Sequence, residues 1–247
     1  MDSLITNILL IGVVLFGGIL VFLLKEKVTG SLKYILAYSG AFMLAVAVIH
    51  LIPEVYGSGN YRMGIYVLLG FLIQLILEYF SQGIEHGHIH VHENKSVYFL
   101  APVLISLCIH ALLEGVPLAK DFAQNAHFHG HGHEHGNSFL VSILMHKFPI
   151  AIALMTLFVK SKVKLSIAFM WLVIFALMAP LGNFIGTNFE SFFSNNHVII
   201  DNIMGIVLGM FLHISTTILF ESEESHKFNL LKLIIIILGG TTAILVL

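Results

Sequence analysis

Long apolar stretches dominate this chain and limit its fold more than any other feature. Of its 247 residues, 57% are hydrophobic and only 11% are charged, whereas an ordinary soluble domain carries about 25% charged residues. A helix needs about 20 apolar residues to cross a bilayer, and its backbone groups are then satisfied internally. The sequence therefore predicts an all-α, polytopic integral membrane protein.

The length criterion predicts eight transmembrane helices joined mostly by short loops. In order, the segments are 4–24, 33–56, 63–84, 97–119, 138–160, 165–188, 198–220 and 229–247. We interpret residues 1–247 as a single transmembrane domain. Two connections differ in composition because they are rich in histidine, and these are residues 85–95 and 126–136.

The placement of basic residues predicts the orientation of these segments. With the N-terminus outside, nine lysines fall in inner loops, namely Lys25, Lys27, Lys33, Lys95, Lys160, Lys162, Lys164, Lys227 and Lys232. Only Arg62 and Lys120 fall in outer loops, and Lys147 lies within a segment. Since cytoplasmic loops carry the excess of lysine and arginine, both termini are expected outside.

Ionisable residues cluster inside the fourth and fifth segments. His110 and Glu114 are four residues apart in the fourth segment, so they share one helical face. The fifth segment contributes His146 and Lys147. A charged group near the bilayer centre costs about 3 kcal/mol on insertion scales, so such groups usually mark a functional site. In an antiparallel pair of helices, the two histidines are expected at one depth.

The cluster has the chemistry of a transition-metal site. Imidazole and carboxylate are common ligands of zinc, so we predict His110, Glu114 and His146 as metal ligands. Three protein ligands leave room for water or a further donor. Pro117 and Pro149 each remove a backbone donor nearby, which frees a carbonyl that can line a cation path.

Further polar residues predict a route on either side of this cluster. His50 and Glu54 share a face near the outer end of the second segment, and Asp201 lies near the outer start of the seventh. We interpret these three as an outer vestibule. Glu78 and His213 lie towards the inner side and are candidate exit groups.

The two histidine-rich loops predict weaker metal contacts. The inner tract contains His86, His88, His90 and His92, and the outer tract contains His127, His129, His131, His133 and His135. Histidine tracts bind metal ions when the imidazoles are neutral. The outer tract is expected to gather ions and the inner tract to accept or sense them, unless both are simply flexible polar loops.

These motifs resemble those of the ZIP (Zrt/Irt-like) divalent-metal transporters. The resemblance rests on His-x-x-x-Glu-Gly at 110–115, His146 with Pro149, His-x-x-Pro at 50–53 and Pro-x-Gly at 180–182. It covers nearly the whole chain. It implies eight helices with both termini outside, transport of divalent metal ions and, in many members, a dimer.

The chain departs from the binuclear pattern of many ZIP proteins. Where that pattern has Asn, Asp and a second Glu, this chain has Ala111, Lys147 and Ile150. The lysine places a positive charge where the second ion would bind. We therefore predict one metal ion, with Lys147 in place of the second, although a simple buried ion pair with Glu114 is the other interpretation.

The residues leave several ions and functions open. Zinc is the preferred ion, while iron, manganese and cadmium use overlapping ligands. An intramembrane metalloenzyme, such as a protease or hydroxylase, and a metal sensor that does not conduct are the rival functions. A cation-diffusion exporter is disfavoured because such proteins usually have six helices and a soluble tail. We expect no enzymatic activity, no nucleic-acid partner, a homodimer as one oligomeric option, and a bacterial inner membrane as the location.

Overall fold

The structure is a computed structural model that describes residues 3–24, 26–57, 61–87, 100–119, 135–192, 197–220 and 230–246. Helix α1 is Ser3–Leu24, and α2 runs from Glu26–Val46 through a π-helical turn, Ala47–Leu51, into Ile52–Tyr56. The others are α3 (Met63–Ser81), α4 (Ala101–Gly115), α5 (His135–Lys160), α6 (Leu165–Phe192), α7 (His197–Phe220) and α8 (Leu230–Val246). Short 3₁₀ turns lie at Ile84–His86 and Val116–Ala119.

The described residues form an all-α protein, as predicted, and contain no strand. Helices α1 to α7 are each long and apolar enough to cross a membrane. Helix α8 is apolar but has 17 residues over Leu230–Val246, which is at the short end of the range for a spanning helix. Eight spans, and the placement of both termini outside, stay predictions.

The helix ends follow local chemistry as well as hydropathy. Helix α2 begins at Glu26, seven residues before the apolar segment predicted from residue 33. Helix α3 ends at Ser81, since Gln82 and Gly83 adopt positive φ angles of 55° and 70°. That turn directs the chain into Ile84–His86, which packs against α5 and α7.

Helix α5 is enclosed by its neighbours and carries much of the core. It packs against α1 and α2, and its residues from Ile150 to Met155 have no exposed surface. Around it, α3 packs on α7, α2 on α8, and α4 on both α6 and α3. Helix α4 is thus held beside α5 by other helices, so that its polar face is directed inward.

Glycines allow the closest of these helix contacts. A Cβ atom at Gly209 would meet the backbone of Val67, and one at Gly70 would meet the backbone of Ile206. Between α4 and α6, Gly115 lies against Ala179 in the same way. Small residues let membrane helices approach closely and gain van der Waals contact, so these positions bring α3 to α7 and α4 to α6.

Candidate metal site

Three potential metal ligands from two helices lie together in the protein interior. His110 and Glu114 come from α4 and His146 comes from α5, and none of the three has any solvent-exposed surface. One ligand atom from each lies within 4.8 Å of the others. His110 Nε2 is 2.7 Å from Glu114 Oε1, and the two imidazole rings are 5.8 Å apart between centroids.

This geometry is close to what a single ion requires. Around a tetrahedral ion with bonds of about 2.0–2.2 Å, neighbouring ligand atoms are about 3.3–3.6 Å apart. The distance from His110 Nε2 to Glu114 Oε1 is shorter than this separation. The upper bound of 4.8 Å on the distances among the ligand atoms of all three residues is longer. Small side-chain movements would therefore let His110, Glu114 and His146 hold one divalent ion.

The helical spacing explains how these side chains meet. His110 and Glu114 stack one turn apart on the face that α4 directs towards α5. After Gly115 the α-helix tightens into the 3₁₀ turn Val116–Ala119, which contains Pro117. In α5, Pro149 lies inside the helix and follows His146 by three residues. Each proline removes one backbone donor close to the ligands.

Lys147 contacts the site as well. Its Nζ lies 3.0 Å from Glu114 Oε2, and the lysine side chain is almost completely buried. The same Nζ is 5.4 Å from the centre of the Phe175 ring, over its face. Glu114 therefore contacts His110 through one oxygen and an ammonium group through the other. The Lys147 ammonium group therefore balances the negative charge of Glu114 next to the place where an ion would bind.

Two buried residues extend the site in a direction that the sequence analysis missed. Gln74 of α3 accepts from His110 Nδ1 through its Oε1, at 3.0 Å. Its Nε2 donates to Glu85 Oε2, at 2.6 Å, and neither residue has exposed surface. The sequence gives only a weak indication of a role for these two residues. Gln74 is a lone amide in an apolar segment, and Glu85 adjoins the histidine tract.

Two of the predicted pathway residues pair with each other. His213 Nδ1 of α7 is 3.3 Å from Glu78 Oε2 of α3. His213 also makes an edge contact with the Phe71 ring at 4.6 Å between centroids. This pair joins two helices that pack extensively against each other, and it forms a second polar position within the apolar region.

The remaining predicted residues are less enclosed or lie outside the described part of the chain. His50 is half-buried in the π-helical turn of α2, Glu54 is exposed, and Asp201 is half-buried in α7. The backbone of His86 lies in the 3₁₀ turn and that of His135 begins α5, while their side chains are not described. The other tract residues lie outside the described residues: His88, His90, His92, His127, His129, His131 and His133.

A comparison with protein families identifies the chain. Residues 95–247, more than half of its length, match the family described as ZIP Zinc transporter. The chain belongs to the ZIP family. The match contains α4 to α8 and hence His110, Glu114 and His146. A search of the curated proteins found no match.

Membership in the ZIP family confirms the resemblance drawn from the motifs and supports divalent-metal transport as the general activity. ZIP proteins are transporters rather than enzymes, so the family favours transport over the metalloenzyme alternative. The apolar helices and the family together place the chain in a membrane.

Proposed function

We propose that this ZIP protein carries zinc into the cytoplasm through a single-ion site formed by His110, Glu114 and His146. The observation that supports this most is the convergence of three fully buried ligand side chains from two apolar helices. Two nitrogens and one oxygen suit zinc. Iron, manganese and cadmium are the competing ions, and metal competition discriminates among them.

The single-ion proposal depends on Lys147. Its Nζ already contacts Glu114 Oε2 at 3.0 Å, which occupies the carboxylate oxygen that a second ion would share. Two unit charges of like sign at 4 Å repel by about 4 kcal/mol at an effective dielectric constant of 20. A divalent ion on that side of Glu114 would meet a still larger repulsion. Ala111 and Ile150, both fully buried, offer no side-chain ligand there.

In the proposed route, polar side chains lie on both sides of the central site. An ion arriving from outside meets His50, Glu54 and Asp201, and the outer histidine tract gathers ions before them. After the central site it passes Glu78 and His213, which are already paired across α3 and α7. Moderate affinity at the centre is required, because a site that binds too tightly does not release its ion.

Metal uptake into proteoliposomes tests the central site. Glu114→Ala is expected to reduce zinc uptake at least tenfold, since the ion loses the one anionic ligand among the three residues. Ser39→Ala is a matched control, because Ser39 is also buried but bonds to Leu36 O within its own helix. Equal uptake by Glu114→Ala and Ser39→Ala would overturn the site, and competition with iron, manganese and cadmium ranks the ions.

Counting bound metal tests the single-ion proposal separately. Purified protein equilibrated with zinc is expected to hold one ion that is lost in both His110→Ala and His146→Ala. The histidine tracts bind more weakly and are removed from the count by repeating it on protein in which those histidines are replaced. Two ions of comparable affinity that both depend on Glu114 would contradict the role given to Lys147.

A further inference from the structure

A chain of hydrogen bonds leads from the predicted ligand His110 away from the metal position. His110 Nδ1 is 3.0 Å from Gln74 Oε1, and Gln74 Nε2 is 2.6 Å from Glu85 Oε2. His110, Gln74 and Glu85 all have no exposed surface. They come from α4, α3 and the turn Ile84–His86, so three separate elements meet here.

The direction of these bonds follows from the chemistry of the groups. An ionised carboxylate only accepts hydrogen bonds, whereas a glutamine amide has one donating and one accepting end. In the structure Gln74 Nε2 donates to Glu85 Oε2, and the amide oxygen therefore faces His110. An amide oxygen cannot donate, so His110 Nδ1 carries the hydrogen. The nitrogen that remains for a metal ion is Nε2, which points towards Glu114.

We propose that Gln74 and Glu85 are positioning residues that hold His110 with Nε2 directed at the ion. The proposal rests on the single-ion site described above. Metal-binding histidines generally donate their other N–H to a carboxylate or carbonyl, and loss of that partner typically costs about 10–100-fold in metal affinity. Here the neutral amide of Gln74 lies between the His110 imidazole and the Glu85 carboxylate. The carboxylate therefore affects His110 only through the amide.

A second contact holds the two helices in this register. Ser106 Oγ donates to the backbone oxygen of Leu77 at 2.5 Å, between α4 and α3. Ser106 lies one turn before His110 in α4, and Leu77 lies about one turn after Gln74 in α3. The bond from Ser106 to Leu77 and the bond from His110 to Gln74 are both buried. Together they fix the position of the Gln74 amide relative to the His110 imidazole along the helices. Gln74 and Glu85 precede residues 95–247, the stretch that matches the ZIP family.

Removing the acceptor that faces His110 tests the positioning role. Gln74→Met has a similar length but no accepting amide oxygen, so it is expected to weaken metal binding about 10–100-fold. The double variant Gln74→Glu/Glu85→Gln instead keeps an acceptor facing His110. Its new amide at position 85 can donate to the new carboxylate at position 74, which still accepts from His110. The double variant is therefore expected to bind at least within a few-fold as tightly as the wild type.

Cobalt(II) is the probe, because its visible absorption reports the ligand geometry as well as the affinity. We expect Gln74→Met to lose the wild-type band intensity at the central site and the double variant to keep it. Gln82→Met is the matched control: it makes the same change at an exposed residue just after α3. In uptake assays, the KM of Gln74→Met should rise and that of Gln82→Met should not.

The outcomes separate this proposal from the site on which it rests. If Gln74→Met binds cobalt as the wild type does, while Glu114→Ala has lost it, the positioning role is overturned and the site stands. If the wild type binds no more cobalt than Glu114→Ala, both proposals are overturned. A purely spatial role for Gln74 predicts that Gln74→Met and the double variant, whose side chains are of similar size, behave alike. Loss of binding in Gln74→Met together with binding by the double variant supports the bonding role.

Discussion

Lys147 and Glu114 form a buried ion pair in which Nζ lies 3.0 Å from Oε2, between α5 and α4. Burying two charges is expensive, and a pair of this kind seldom adds to stability over an apolar pair of the same size. Its retention beside two histidines therefore needs another reason. We infer that the ammonium sets the charge of the site and keeps a second cation out.

Replacing Lys147 with methionine should change metal binding and stability in opposite directions. Methionine has a similar length without the charge, so the Coulomb repulsion of the incoming ion disappears. We expect zinc affinity to rise at least tenfold, which is about 1.4 kcal/mol. The metal-free protein should melt at a lower temperature, because breaking a buried pair by removing one partner costs about 3–5 kcal/mol.

A thermal-shift measurement with and without zinc checks both effects. The gain in melting temperature on adding saturating zinc should be larger for Lys147→Met than for the wild type, since the ion replaces the lost cation. Lys160→Met is the control, because Lys160 is exposed at the end of the same helix. Equal zinc-induced shifts in all three proteins would remove the electrostatic role of Lys147.

The Glu78–His213 pair predicts a defect in transport rather than in central binding. His213→Ala leaves Glu78 without this contact between α3 and α7, at a position separate from His110, Glu114 and His146. We expect the maximal rate of uptake to fall severalfold while the cobalt affinity of the central site stays within twofold. Stopped-flow uptake combined with cobalt titration measures both quantities. If the cobalt affinity of the central site fell together with the rate, the pair would support the structure of the site and would not contact the ion on its route.

The parts of this protein that follow periodic rules were accessible from the sequence. Apolar length predicts the helices because the bilayer imposes a minimum, and the i, i+4 spacing places His110 and Glu114 on one face. The meeting of α4 with α5 at His146 also follows from equal depth in antiparallel helices. Lys147 was predicted to lie beside this group, with the ion pair to Glu114 as one of two interpretations.

The roles of Gln74 and Glu85 could not be predicted from the sequence in this way. Their proximity to His110 depends on two turns and on a helix crossing. Gln82 and Gly83 take positive φ angles that end α3 and bring Glu85 back beneath α5 and α7. Nothing periodic in the sequence predicts that reversal. The π-helical turn at Ala47–Leu51 lies just before Pro53, whose missing backbone N–H cannot bond to the preceding turn. An isolated amide or acid therefore gives a far weaker signal than a repeated spacing.

Variants near the predicted outer end of α2 should affect capture of the ion at low concentration. Near the end of α2, His50 is half-buried with its Nε2 atom enclosed, and Glu54 is exposed, so the carboxylate can exchange ions rapidly with solvent. The double variant His50→Ala/Glu54→Gln is expected to raise the KM for zinc about threefold to tenfold with little change in maximal rate. Uptake measured over a range of zinc concentrations separates these two parameters. A fall in maximal rate with unchanged KM would contradict an outer vestibule.

Gly115→Ala should disturb the site although glycine is no ligand. A Cβ atom at this position would meet the backbone oxygen of Ala179 on α6, and backbone atoms cannot move aside as a flexible side chain can. Overpacking typically costs about 1–3 kcal/mol, and here it would push α4 away from α6 directly beside Glu114. We expect a lower melting temperature and weaker cobalt binding. Gly12→Ala is the control, because a Cβ atom at Gly12 of α1 has no neighbour within 4 Å. If both variants melt and bind alike, the close contact between α4 and α6 does not hold Glu114 in place.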